Sequence, residues 1–234
     1  MAFQGRCHDP RINLDGLSKA HLHLPITDIN LCAHFEARGV CDERTDLSFR
    51  PKRGNHDEPP RANHFSFWLG FGANETVVLD VTQPGYPFNP YASDDYLNTN
   101  TCLVRFFSEK IPSALDMGCV YREQNVRQGI TVAHIIELIK ENERQGFLFL
   151  SNQKQKVGCR HWVHTIAKDL ERAGITSRGY ADAVLKHLQT YYGRYQVQGR
   201  GGRWLSGATW APRSEFRCAE MQMGLFPSVR RYKY

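Results

Sequence analysis

The chain has 234 residues, 41% apolar, 23% charged and 12% aromatic, the balance of one compact domain with a sizeable core, which excludes a disordered chain, a collagen and a coiled coil. No apolar run reaches the roughly 18 residues that span a bilayer, and the polar start MAFQGRCHDP lacks the apolar stretch of a secretory signal, so a soluble cytoplasmic protein is expected. The net charge is +6, and seven cysteines at irregular spacings, an odd number, point to thiols rather than a disulfide framework.

Residues 19–38 open with the alternation His21, Leu22, His23, Leu24 and stay apolar past Pro25, which predicts one or two strands. Residues 42–63 are charged and proline-rich and read as a surface loop. His64 to Leu69 and Thr76 to Thr82 are β-branched or aromatic runs joined by GFGANE, a hairpin pattern. PGYPFNP at 84–90 breaks it, and Cys102 to Phe107 is a further strand candidate. From Thr131 the period changes. Val132, Ile135, Ile136 and Ile139 fall at helical spacing behind an N-cap threonine, which predicts a helix over 131–144. Phe147 to Leu150 reads as a short strand. GCRHWVHTIAKDLERAG then predicts a helix that starts just after Gly158 and ends at Gly174, with Trp162, Val163, Ile166, Ala167, Leu170 and Ala173 on one face. A third helix is expected over Ala181–Tyr192, followed by a strand over Arg194–Val197 and the Gly-rich GRGGRW. No repeat or domain boundary is visible, so residues 1–234 read as a single domain.

Residues 194–234 form a basic, aromatic C-terminal segment. Arg194, Arg200, Arg203, Arg213, Arg217, Arg230, Arg231 and Lys233 face only Glu215 and Glu220, so this segment carries the whole net charge of the chain. Arginines interleaved with Tyr195, Trp204, Trp210, Phe216, Phe226, Tyr232 and Tyr234 suit phosphate contact and base stacking, so these seven arginines are candidate RNA contacts. The competing reading is a solvated subdomain with the aromatics as core.

A cysteine is nucleophilic as thiolate, a form favoured by a helix N-terminus and by a nearby imidazolium. Cys159 has the first feature by sequence. Among the seven upstream histidines, His64 begins a strand directly after the long polar loop, where an imidazole can reach a cleft, and Asp80 in VVLDVT on the paired strand can orient it. His161 and His164, near Cys159 on its helix, are the reserve candidates. His21-x-His23 and Cys159-x-His161-x2-His164 do not complete a four-ligand zinc set, so no metal or cofactor is expected.

The pair NHFSFWLGFG and GCRHWVHTIAKDLERAG resembles the two signatures of the circularly permuted papain-like thiol enzymes, the NlpC-type group that includes lecithin retinol acyltransferase. The resemblance implies an α+β fold, a small antiparallel sheet packed against helices. It also implies His64 as base on a strand and Cys159 as nucleophile at a helix start. Asp80 follows by position alone, and Gly158 stands where relatives often have Asn. The chain also resembles, in size, papain-like pair and basic aromatic C-terminus, the fungal arginine-containing cyclodipeptide synthases. That resemblance implies cysteine-dependent acyl transfer through a thioester. Aminoacyl-tRNA, arginyl-tRNA among them, would be the partner, with neither DNA nor a membrane involved. Carboxylates for an arginyl group are available at Asp94, Asp95, Glu137 and Glu141. A thiol hydrolase or amidase acting on peptide or isopeptide bonds, and a non-catalytic RNA-binding module, are the alternatives.

Overall fold

The computed structural model describes residues 9–34, 64–72, 75–82, 102–110, 118–152, 155–157, 159–190, 192–198 and 204–212. Six strands form one sheet: β1 (Ile12–Gly16), β2 (Asp28–His34), β3 (His64–Gly70), β4 (Glu75–Thr82), β5 (Leu103–Lys110) and β6 (Cys119–Glu123). Their order across the sheet is β1-β5-β4-β3-β2-β6. Every neighbouring pair is antiparallel except β1 with β5, which is parallel. The architecture is therefore α+β with a mixed sheet, larger than the small antiparallel one expected. The parallel edge escaped the sequence because INLDG is only five residues long, and its partner lies some ninety residues away, where no local pattern can announce it.

Three helices follow: α1 (Val132–Glu141), α2 (Cys159–Arg172) and α3 (Tyr180–Leu188). The α1 start is set by Thr131, whose backbone N–H donates to Nδ1 of His134 at 3.1 Å. Its buried residues are Val132, Ile135, Ile136 and Ile139, the stripe the periodicity marks. The α2 helix closes in a Schellman turn: Ile175 N–H donates to the Leu170 carbonyl and Gly174 N–H to that of Glu171, both at 2.9 Å. Gly174 sits at φ +61°, a conformation that glycine adopts without strain.

Most of the buried apolar residues among those described form one large cluster. Phe65, Phe67 and Leu69 of β3 and Val77, Leu79 and Val81 of β4 meet the apolar faces of the three helices. The intervening positions Trp68 and Val78 pack in a second, smaller cluster with Cys32 of β2. Two charged groups lock α2 in place. Asp169, almost wholly buried, receives a bidentate pair of hydrogen bonds from Arg144, at 2.6 and 3.1 Å. Arg160 donates from Nη1 to the Leu188 carbonyl at 2.7 Å and lies over the Phe65 ring, 5.3 Å from its centroid.

Several local expectations shift. Residues 19–24 form turns and not a strand, because His21 leaves the alternation to bond Ser108 Oγ at 2.8 Å and Glu75 at 3.2 Å. Phe147 and Phe149 are core residues in edge-to-face contact, and the short strands are β7 (Leu150–Asn152) and β8 (Gln155–Val157). The third helix ends at Leu188, four residues early, and a two-stranded ribbon of β9 (Tyr192–Gln198) and β10 (Trp204–Pro212) follows. The expected loop at 42–63 lies outside the described residues.

Phe67 is fully buried at the centre of the sheet. Phe67→Ala should lower stability by about 3–5 kcal/mol in urea denaturation, through lost transfer energy and an unfilled cavity.

Candidate active site

The β3–β4 hairpin positions the first two groups. Phe67 pairs with Leu79, and the same register carried outward sets Asp80 opposite Ser66, on the diagonal from His64. The consequence is a hydrogen bond of 2.6 Å between His64 Nε2 and Asp80 Oδ1. Asp80 Oδ1 also accepts the Val81 backbone N–H at 2.8 Å, which holds the carboxylate against rotation. Both side chains are largely shielded, at 24% and 14% exposure.

Cys159 is the first residue of α2, half-buried and free. Because α2 lies against β3 and β4, its N-terminus comes to the His64 end of the hairpin, and the Cys159 thiol hydrogen-bonds the His64 ring. Asp80 occupies the Nε2 side of the ring. Burial alone would lower the basicity of this imidazole. The charge of Asp80 and its hydrogen bond, with the Cys159 bond added, outweigh it and hold His64 well above its ordinary value. The structure thus brings together the three residues that the sequence singles out, in the order carboxylate, imidazole, thiol. Cys159 opens the first turn of α2, and the N–H groups of a first helical turn lack intrahelical acceptors.

The reserve histidines have other surroundings. His164 is buried on α2 with its ring pushed down from the usual value by burial and by Lys168. His161 meets the Phe147 ring edge-on at 5.9 Å. Glu137 and Glu141 lie on α1, Glu137 3.9 Å from Lys140, while Asp94 and Asp95 are outside the described residues. Arg194 lies on β9 opposite Trp210, and Arg200, Arg203, Arg213, Arg217, Arg230 and Arg231 are outside the described residues. Among the described residues, no group of three or more His, Cys, Asp or Glu side chains is placed to hold a metal ion, and no helix is long and apolar enough to cross a membrane. Arg160, beside the nucleophile candidate, is a positioning group that sequence reasoning missed. Its neighbours Leu188 and Phe65 come from distant segments, so the chain alone gives no sign that this arginine is buried.

A family model described as Domain of unknown function (DUF7770) matches residues 49–205, about two thirds of the chain. The chain belongs to this family. The DUF7770 match contains His64, Asp80 and Cys159, so all three lie in the family's own domain, whereas Arg213, Arg217, Arg230 and Arg231 lie beyond it. No curated protein and no solved structure matches the chain.

The raised His64 has a testable sign. A histidine whose folded pKa lies above its unfolded value adds stability that is complete below about pH 6.5 and is lost as pH rises through the folded value. The stability lost in Asp80→Asn should therefore be largest between about pH 5 and 6.5 and should shrink on the alkaline side. NMR titration of His64 should move to lower pH in the same variant. An unmoved titration would show that Asp80 does not control the ring.

Proposed function

We propose that this protein is a cysteine-dependent acyltransferase of permuted papain-like type that works in the cytoplasm on aminoacyl-tRNA. An arginyl group is one donor, and an arginine-containing cyclodipeptide is the product. The observation that carries the proposal is the Asp80–His64–Cys159 chain, with a 2.6 Å carboxylate–imidazole bond and the thiol at a helix N-terminus. The basic C-terminal segment supports the choice of a tRNA donor.

In the first half-reaction the Cys159 sulfur, with its proton on His64, attacks the carbonyl carbon of the aminoacyl ester. The C–S bond forms, and the developing oxyanion is met by the first-turn N–H groups of α2. The ester C–O bond then breaks as His64 returns the proton to the departing ribose oxygen. Asp80 keeps the ring oriented and charged while it waits to act as the acid. In the second half-reaction the α-amine of another aminoacyl-tRNA attacks the thioester. The C–N bond forms, the C–S bond breaks, and the amine proton returns to the Cys–His pair. The free amine of the resulting dipeptidyl-tRNA then attacks its own ester carbonyl, which closes the diketopiperazine ring and releases the second tRNA. The two ester bonds supply the driving force, and no further co-reactant is required.

The test is incubation of the purified protein with arginyl-tRNA and a mixture of other charged tRNAs, with cyclic dipeptides read by mass spectrometry. Cys159→Ala should lower product formation by at least about a thousandfold while changing stability by less than about 1 kcal/mol. Release of free arginine without any dipeptide would favour the thiol hydrolase instead. Full activity of folded Cys159→Ala would remove the nucleophile.

The tRNA contact has its own readout. Replacing Arg200 and Arg203 together with Glu should weaken tRNA binding across sequences. It should also reduce the slope of log affinity against log salt by about two. An unchanged slope would take these arginines out of the interface.

A further inference from the structure

A second thiol pair lies away from the Cys159 site. Cys32, on β2, stands directly opposite Cys119, the first residue of β6. The ladder shifts at this point: Leu31 pairs with Tyr121, so an unbroken register would set Val120 opposite Cys32, but a bulge brings Cys119 there instead. Bulges re-aim side chains, and this one aligns two sulfurs that the alternation of β6 would otherwise send to opposite faces. Directly opposed antiparallel residues have Cα atoms about 4.5–5.5 Å apart, inside the window of about 4.4–6.8 Å that a disulfide spans.

We propose that Cys32 and Cys119 form a cross-strand dithiol–disulfide site, oxidised by a low-molecular-weight disulfide such as glutathione disulfide. The two members are unequal in the way such a site requires. Cys119 is half-buried and reachable, whereas Cys32 is fully buried. The Cys119 sulfur also lies 3.6 Å from Asn30 Oδ1 and 3.5 Å from the Tyr121 carbonyl. The Cys32 thiol donates to Cys119 and so favours the Cys119 thiolate, with Arg122 nearby adding to the effect; burial keeps Cys32 protonated. Cys102 lacks this character: buried against the Gln145 carbonyl at 3.2 Å, it is pushed up to about 12. In the reaction the Cys119 thiolate attacks one sulfur of glutathione disulfide, forming a mixed disulfide and releasing one glutathione thiolate. Cys32 then gives up its proton and attacks the Cys119 sulfur. The protein disulfide forms and the second glutathione leaves as thiolate, so two protein thiols are oxidised and one glutathione disulfide is reduced.

The full-length protein is equilibrated in glutathione buffers from reducing to oxidising, alkylated under denaturing conditions and mapped by peptide mass spectrometry. The expected result is a linked Cys32–Cys119 peptide pair that dithiothreitol separates, and a rise in Tm of roughly 5–15 °C on oxidation. Cys32→Ala should leave Cys119 trapped as the glutathione adduct. If Cys32→Ala fails to fold, the map of the unmodified protein decides by itself. Cys32 and Cys119 both alkylated after exposure to oxidising buffer, or Cys119 linked to a different cysteine, would overturn the proposal. The same mapping in Cys159→Ala should give the same linked pair, since the site does not depend on the acyl-transfer chemistry.

Discussion

The 2.6 Å bond between Asp80 and His64 is the interaction on which the rest of the site depends. It exists because β3 and β4 pair antiparallel in one register, and a slip of one residue would turn Asp80 to the opposite face. That register is held by the fully buried Phe67 and Leu79, which face the helices. The imidazole is therefore oriented by the hydrophobic core as much as by its carboxylate. The charge on Asp80 then outweighs burial, which alone would lower the basicity of this shielded histidine, and holds it well above its ordinary value next to a thiol.

The second requirement is that α2 present its first residue to that ring. Two buried charges achieve this. Asp169, near the C-terminal end of the helix, is held by both arms of the Arg144 guanidinium, and Arg160, next to Cys159, reaches the last carbonyl of α3 while covering Phe65. Buried charges contribute little net stability when paired but are costly to leave unpaired, so arrangements of this kind restrict the positions a helix can take. Trp162, whose Nε1 donates to the Arg144 carbonyl at 3.0 Å, adds a neutral anchor on the same helix.

The parts legible in the sequence were those with a local physical signature. The α1 stripe repeats at helical spacing behind a capping threonine. The β3 and β4 runs flank a turn, and Gly158 and Gly174 bracket α2. From those elements His64, Asp80 and Cys159 follow as strand-start, paired-strand and helix-start positions. What stayed hidden depends on contacts between distant segments. The parallel β1 edge joins residues 12–16 to the strand over 103–110. The short CVYRE strand has no apolar alternation to mark it, and its bulge against β2 is a property of the pairing alone. Arg160 and Asp169 are charged residues on a helix that reads as amphipathic, and only the fold reveals that they are buried. His21 shows the opposite case, in which a two-residue alternation imitates a strand while the side chain serves a polar contact to Ser108 and Glu75.

The central claim is that Cys159 owes its reactivity to the Asp80–His64 pair. It is tested most directly by the rate at which iodoacetamide alkylates Cys159 at neutral pH, resolved by peptide mass spectrometry in the unmodified protein, Asp80→Asn and His64→Ala. The account predicts at least about a tenfold slower reaction at Cys159 in His64→Ala and a smaller loss in Asp80→Asn, with the rate at Cys119 unchanged as an internal reference. Equal Cys159 rates in all three proteins would contradict it.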